Sequence, residues 1–153
     1  MSEIQAVNDV LRALADVRDG PFYNLYVDLP QPVERPPKKI DFRIGRIAFS
    51  KHAVAGVTVS LTRSDWIEVW WSLAVETTAE ALIISGQVGL EVDEGSVEVY
   101  KNSVTLHDPA YILGTIHTMA DQVCNERSWI TRSWPESNEI VDRGTNLDEI
   151  RSS

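Results

Sequence analysis

Residues 66–76 read Trp-Ile-Glu-Val-Trp-Trp-Ser-Leu-Ala-Val-Glu, and this stretch decides the fold. Its odd-numbered positions are all apolar, whereas Glu68 and Trp70 stand at even-numbered ones. An alternation of period two, rich in β-branched and aromatic residues, predicts a strand with one buried face. A helix is the competing interpretation, because Ser64 could cap it and several apolar residues also recur at helical spacing. We predict the strand.

Two helices are predicted on either side of a series of strands. The first covers residues 3–19, where apolar residues recur at helical spacing, and Gly20-Pro21 ends it. The second begins at Asp108-Pro109, a capping acid followed by proline at the first helical position. Its apolar stripe continues to about Glu126.

The remaining apolar segments predict further strands. They are residues 22–29, the segments on either side of Gly45, residues 57–61, and a hairpin that joins 88–92 to 97–101. Gly45 stands where the alternation changes phase, which suits a β-bulge or a bend.

The order of these elements predicts the fold class. Helix, several strands and helix follow one another without strand–helix–strand alternation, which indicates an α+β fold. We expect an antiparallel sheet of about five to seven strands, with the N-terminal helix and the C-terminal-half helix packed on one face. Residues 1–135 are predicted to form a single domain, and residues 136–153 a polar tail.

Composition and targeting signals indicate a cytoplasmic protein. The chain has 153 residues with a net charge of −9, and its hydrophobic content of 43% is typical of globular proteins. No apolar run approaches the roughly 20 residues of a membrane helix, and no basic segment leads into an apolar one as in a signal peptide. Cys124 is the only cysteine, so no internal disulfide can form.

The negative charge is concentrated in one part of the sequence. Between Arg63 and Lys101 there is no Lys or Arg, whereas eight carboxylates and three of the five tryptophans fall there. A field of this sign repels nucleic-acid phosphates and anionic lipids. It favours a basic protein partner, although solubility alone also accounts for an acidic composition.

Catalytic signatures are missing from the sequence. It has no phosphate-binding or dinucleotide glycine motif, no Gly-x-Ser-x-Gly and no His-Glu-x-x-His. Three histidines, His52, His107 and His117, are the only candidates for a metal or acid–base site, and we expect Asp108 to be a helix cap instead. Cys124 beside the apolar stripe is expected to be a buried structural thiol. We predict no catalytic residue, no cofactor and no metal site.

The candidate binding surface combines tryptophans with carboxylates. In the strand interpretation, six residues fall on the face opposite the apolar one: Trp66, Glu68, Trp70, Glu91, Asp93 and Glu98. Aromatic anchors surrounded by carboxylates are typical of a specific protein interface. The competing interpretation covers both faces of the sheet, with the tryptophans under the second helix and the carboxylates simply solvated.

Two functional hypotheses follow. The first is a non-enzymatic protein-binding module, a small acidic inhibitor, immunity-type or chaperone-like protein that engages a basic partner; self-association stays open. The alternative is a small-molecule-binding protein or enzyme with a pocket lined by tryptophans, namely Trp66, Trp70, Trp129 and Trp134. A deep pocket lined by those residues would favour the alternative, and a flat acidic sheet would count against it.

Overall fold

The computed structural model describes residues 3–30, 38–46, 53–63, 65–78, 80–92 and 95–132. Within these ranges the helices are α1 (Glu3–Val17), α2 (Tyr23–Asp28) and α3 (Ile112–Asn125). The strands are β1 (Lys38–Arg46), β2 (Ala53–Thr62), β3 (Glu68–Thr77), β4 (Leu82–Val92) and β5 (Gly95–Leu106). Short helical turns lie at Arg18–Phe22, Pro109–Tyr111 and Ser128–Ile130. The predicted polar tail at 136–153 lies outside the described residues.

The strands form one antiparallel sheet in which each strand pairs with its neighbour in sequence, in the order β1-β2-β3-β4-β5. The buried apolar residues of the helices belong to the same core cluster as those of β2, β3, β4 and β5. The helices therefore lie on one face of the sheet, which confirms the predicted α+β class with an antiparallel sheet.

The stretch that decides the fold is a strand. In β3, Val69, Trp71, Leu73 and Val75 are all almost completely buried, and the residues between them are only partly covered. Trp71 lies beneath α3, where its indole Nε1 donates a hydrogen bond of 2.7 Å to the carbonyl oxygen of Glu126. The indole N–H of the fully buried Trp71 therefore has a hydrogen-bond partner. Because residues 68–77 form a strand, the strand interpretation is confirmed and the helical one is wrong.

The predicted strand at 22–29 is wrong, because these residues are helical. Gly20 has φ −105° and ψ −108°, which breaks the helix axis after α1, and a second helical segment follows at once. Phe22, Leu25 and Leu29 are the buried residues of this segment, at spacings of three and four. Tyr23 and Val27, which suggested period two, are about half exposed. The apolar positions fit both periods, and packing against the sheet selects the helix.

The start of the second helix matches the prediction. The Asp108 carboxylate accepts a hydrogen bond of 2.9 Å from the backbone N–H of Ala110, and Pro109 occupies the first position of a short 3₁₀ turn that leads into α3. The buried face of α3 carries Ile112, Ile116, Met119, Ala120, Val123 and Cys124. The helical segment begins at this point because the Asp108 side chain accepts a hydrogen bond from a backbone N–H that has no partner within the helix.

The predicted hairpin is present and extends further than expected, since β4 and β5 pair from Val92 and Gly95 to Leu82 and Leu106. Gly95 has a φ of +135°, a conformation that glycine adopts without steric cost. The pairing of β1 with β2 continues through Gly45 without a bulge, which contradicts the first of the two predicted alternatives there, a bulge or a bend. The segment predicted to follow Gly45 lies outside the described residues from position 47 to 52. The register shifts instead between Val88 and Gly89, opposite β5.

Candidate protein-binding face

The two faces of the sheet differ in what covers them. The helices pack on one face, as shown by Gly86 of β4, where an added Cβ would lie 2.3 Å from a side-chain carbon of Val123 in α3. The other face carries Thr58, Ser60, Glu68, Trp70, Ser72, Gln87, Gly89, Glu91, Glu98 and Lys101, and we call it the open face. None of the described helices packs on it. Glu68 and Trp70 lie where the alternation predicted them.

Two carboxylates stand directly opposite each other on the open face. Glu68 of β3 is the register partner of Glu91 of β4, and directly opposed residues have Cβ atoms about 4.5–5.5 Å apart. Within the described part of the chain, no Lys, Arg or His forms an ion pair with either carboxylate. Like charges in this position repel each other, so this corner of the sheet is electrostatically uncompensated within the described chain.

Trp70 lies flat against the neighbouring strand. Its register partner is Gly89, and a Cβ added to Gly89 would lie 2.0 Å from Cζ2 of the Trp70 ring. The absence of a side chain at this position is therefore what allows the indole to cover the backbone of β4. Trp70 is half-buried as a result, and it forms an aromatic platform in the middle of the open face.

Glu98 borders this platform from the next strand. It is the register partner of Gly89 on β5, and its Oε2 lies 4.0 Å from the Nζ of Lys101 on the same strand. Both side chains are more than 40% exposed, so the pair is solvated and weak. The predicted site residue Asp93 lies outside the described residues.

Trp66 is placed differently from the prediction. It lies not on the strand but in the turn before it, with a φ of 68° and an exposure of 64%. The backbone N–H of Arg63 donates to the Ile67 carbonyl at 2.9 Å, and Trp66 N–H donates to the Arg63 carbonyl at 3.0 Å. These bonds close a tight loop that puts Trp66 in the left-handed region, and β3 begins two residues later. The Trp66 side chain is thus exposed in the turn between β2 and β3.

A cluster around Arg63 fixes this turn, and sequence reasoning missed it. The Arg63 guanidinium donates to the carbonyl oxygens of Trp129 at 2.8 Å and Arg132 at 2.7 Å, and it pairs with the Asp65 carboxylate at 2.8 Å. The Arg132 guanidinium lies 4.6 Å from the centre of the Trp129 ring. The local sequence does not predict these contacts, because Arg63 is separated from Trp129 by 66 positions and from Arg132 by 69 positions. They form because the chain that follows α3 lies beside the turn between β2 and β3.

The cavity that the described residues form is not lined by the described tryptophans. Trp71 is completely buried and Trp129 nearly so, whereas Trp66 is exposed; Trp134 lies outside the described residues. A cavity of about 440 Å³ does lie between β5 and α3, but its lining contains no tryptophan. It is formed by uncharged residues that include Asn102, Val104, Tyr111, Gly114, Thr118 and Gln122.

The cysteine and the described histidines, which were the candidates for nucleophilic, acid–base or metal chemistry, do not form a common site. Burial raises the pKa of the Cys124 thiol to about 12, so the thiol is neutral at ordinary pH and a poor nucleophile. His117 Nε2 lies 3.9 Å from an Asp16 carboxylate oxygen, and both side chains are well exposed. His52 is outside the described residues. Among those that are described, no group of three His, Cys, Asp or Glu residues could hold a metal ion.

Comparisons with protein-family models, with curated proteins and with solved structures each returned no match. None of the helices in the described ranges is both long and apolar enough to cross a membrane.

Proposed function

We propose that this chain is a non-enzymatic protein-binding module that engages a basic partner surface through the open face of its sheet. The observation that supports the proposal best is the Glu68–Glu91 pair, two opposed carboxylates without a described cation, beside an indole that lies flat on Gly89. Glu98 borders the same platform. Trp66 is proposed as a second aromatic contact, in the turn between β2 and β3, because it is 64% exposed.

Elementary electrostatics explains why a basic side chain suits this place. Opposed like charges on a sheet cost about 0.2–1 kcal/mol per pair. A Lys or Arg of a partner inserted between Glu68 and Glu91 would turn this repulsion into two attractions. The same cation could lie over the outer ring face of Trp70, since indole is the best aromatic acceptor for a cation. Tryptophan is also one of the residue types enriched among the hot spots of protein interfaces, which cluster near the interface centre.

The class of protein that fits this description is a small acidic inhibitor, an immunity-type protein or a chaperone-like adaptor in the cytoplasm. In each case the chain would act by occupying a basic surface of another protein, which needs no catalytic group. Electrostatic complementarity of this kind accelerates association and makes it sensitive to salt. No specific observation favours the alternative of a tryptophan-lined pocket.

The proposal is tested with three versions of the tagged chain as bait in a lysate of the organism that encodes it. They are the wild type, the double charge reversal Glu68→Lys/Glu91→Lys, and a matched control, Glu80→Lys/Asp121→Lys. The control reverses two exposed carboxylates away from Trp70, so it has the same net charge as the test variant. Quantitative mass spectrometry should find a basic protein that the wild type and the control retain and the test variant loses.

The purified partner then allows titration calorimetry at several salt concentrations. We expect Glu68→Lys/Glu91→Lys to weaken binding at least about 100-fold, because two desolvated charge pairs of roughly 1.5 kcal/mol or more each become repulsive. Trp70→Ala should weaken binding about 10- to 100-fold with little change in the salt dependence. Equal retention of every partner by the test and control variants would contradict the proposal.

A further inference from the structure

We infer that the cation that the open face receives is the guanidinium group of an arginine, stacked on the outer face of the Trp70 ring and hydrogen-bonded to Glu68 and Glu91. This arginine would belong to the basic partner of the proposed function, on which the inference rests. Three described residues carry it, namely one aromatic plane and two carboxylate acceptors that share one face of β3 and β4. A lysine has the same charge, but its ammonium group does not match this combination.

The Trp70 ring is a flat surface with one side fixed. A Cβ added at Gly89 would lie 2.0 Å from Cζ2, 2.2 Å from Cε2 and 2.6 Å from Cη2 of the ring, so the indole lies against the backbone of β4. Trp70 is half-buried in consequence, and the ring face that points away from the sheet stays accessible, because none of the described helices packs there. A planar guanidinium group stacks well on an indole face, and Arg makes such contacts more often than Lys.

The two carboxylates lie one step further along the same strands. Glu68 precedes Trp70 by two residues in β3, and Glu91 follows Gly89 by two residues in β4. Two residues of a strand span about 6.8 Å, so the flexible Glu side chains can reach the N–H edge of a guanidinium group that lies over the ring. The five N–H donors of this group serve an aromatic contact and two acceptors at the same time. The compact ammonium group of lysine lies either between the carboxylates or over the ring.

The charge of the carboxylate pair calls for a cation from outside the described chain. In the ranges that the structure describes, neither Glu68 nor Glu91 forms an ion pair. Glu98, on the other side of Gly89, differs from them because its Oε2 lies 4.0 Å from the Nζ of Lys101. Charge complementarity therefore places the arginine of the partner between Glu68 and Glu91. Removal of water from the complex strengthens the contact of this cation with the indole.

The test compares two peptides of equal length and charge, one of alternating glycine and arginine and one of alternating glycine and lysine. In titration calorimetry at low salt, the wild type should bind the arginine peptide about 3- to 10-fold more tightly. Trp70→Leu should bring the arginine peptide close to the affinity of the lysine peptide, because it removes the plane and keeps both carboxylates. Glu68→Gln/Glu91→Gln should weaken both peptides about tenfold or more. The matched control Glu80→Gln/Asp121→Gln, at two exposed sites, should leave both affinities unchanged.

Proton NMR of the bound arginine peptide reports the stacking itself. Protons of an arginine side chain that lie over an indole plane shift upfield, and we expect this shift with the wild type and not with Trp70→Leu. Circular dichroism checks that each variant is folded. The comparison of the two peptides on the wild type does not depend on the folding of any variant.

Equal affinity of the wild type for the two peptides would overturn the inference, as would failure of both peptides to bind or an arginine preference that Trp70→Leu keeps. The proposed function stands in the first and third cases if Glu68→Gln/Glu91→Gln still weakens both peptides. If that double variant binds both peptides as tightly as the wild type does, the proposed function is contradicted as well.

Discussion

Trp70 and Trp71 are neighbours in sequence, yet they lie in opposite environments on the two faces of β3. Trp71 is completely buried beneath α3 and donates its indole N–H to a helix-end carbonyl. Trp70 covers only a glycine of the next strand and keeps part of its ring exposed. The same side chain therefore contributes to stability on one face and is available for binding on the other. The difference comes from what packs on each face, because the backbone of a strand projects successive side chains to its two faces in the same way.

The carboxylates follow the same division. Glu68 and Glu91 oppose each other on the open face, whereas the helix-covered face of β3 carries only apolar side chains between Val69 and Val75. A buried face cannot hold unpaired charge at acceptable cost. An open face can hold it at a small cost, because water still solvates the charges.

The largest expected effect separates the two tryptophans. Trp71→Ala should lower the free energy of unfolding by about 3–5 kcal/mol, because it leaves a cavity in the core and removes a buried hydrogen bond. Trp70→Ala should lower it by only about 1 kcal/mol, since the ring is half-buried. Urea unfolding followed by circular dichroism measures both values, and equal losses would contradict the two-face description.

The covered side predicts a pH effect at Cys124. Burial raises the pKa of this thiol from 9.0 to about 12, so the folded state holds the proton more tightly than the unfolded state. The resulting stability is complete below pH 9 and is lost as the pH rises towards 12. At pH 10 the wild type should have lost about 1.4 kcal/mol relative to pH 8.

Cys124→Ala is the control for this effect, since it lacks the titrating group. Its free energy of unfolding is measured by urea denaturation at pH 8 and pH 10. The decrease between these two pH values should be about 1.4 kcal/mol smaller in Cys124→Ala than in the wild type. Parallel curves for the two proteins would show that the thiol is not desolvated.

A double-mutant cycle tests the platform on the open face. Gly89→Ala should cost about 1 kcal/mol, because the new Cβ displaces the Trp70 ring. In the Trp70→Ala background the same substitution should be neutral or stabilising by about 0.4–1 kcal/mol, since a strand glycine loses more chain entropy than alanine. Tryptophan fluorescence should report the displaced ring in Gly89→Ala. Additive effects would mean that Trp70 does not lie on Gly89.

The smallest effect concerns the opposed carboxylates. Glu91→Gln should stabilise the fold by about 0.2–1 kcal/mol, because it removes the repulsion with Glu68. Added salt should reduce this gain by screening the charges in the wild type. Glu80→Gln, at an exposed site outside the strands, serves as the comparison and should be neutral in the same thermal unfolding experiment. A destabilising Glu91→Gln would indicate that a cation already compensates the pair.

Much of this arrangement could be predicted from local sequence. The period-two pattern of residues 67–75 requires one buried face, and the Asp108-Pro109 pair starts a helix by satisfying a free N–H. The positions of Glu68, Trp70, Glu91 and Glu98 on the opposite face follow from the same alternation. Residues 22–29 could not be assigned in this way, because their apolar positions fit both a strand and a helix until the neighbouring elements are in place.

The sequence by itself determined the α+β class, the phase of β3 and the concentration of negative charge beside its tryptophans. These properties are local, since they depend on side-chain period and on charge count. Only the tertiary structure decided that Glu68 faces Glu91, that Trp70 covers Gly89, and that Arg63 ties the Trp66 turn to residues 129–132. Each of these contacts joins distant parts of the chain. Strand register and helix docking create them, and neither is encoded in any short stretch of residues.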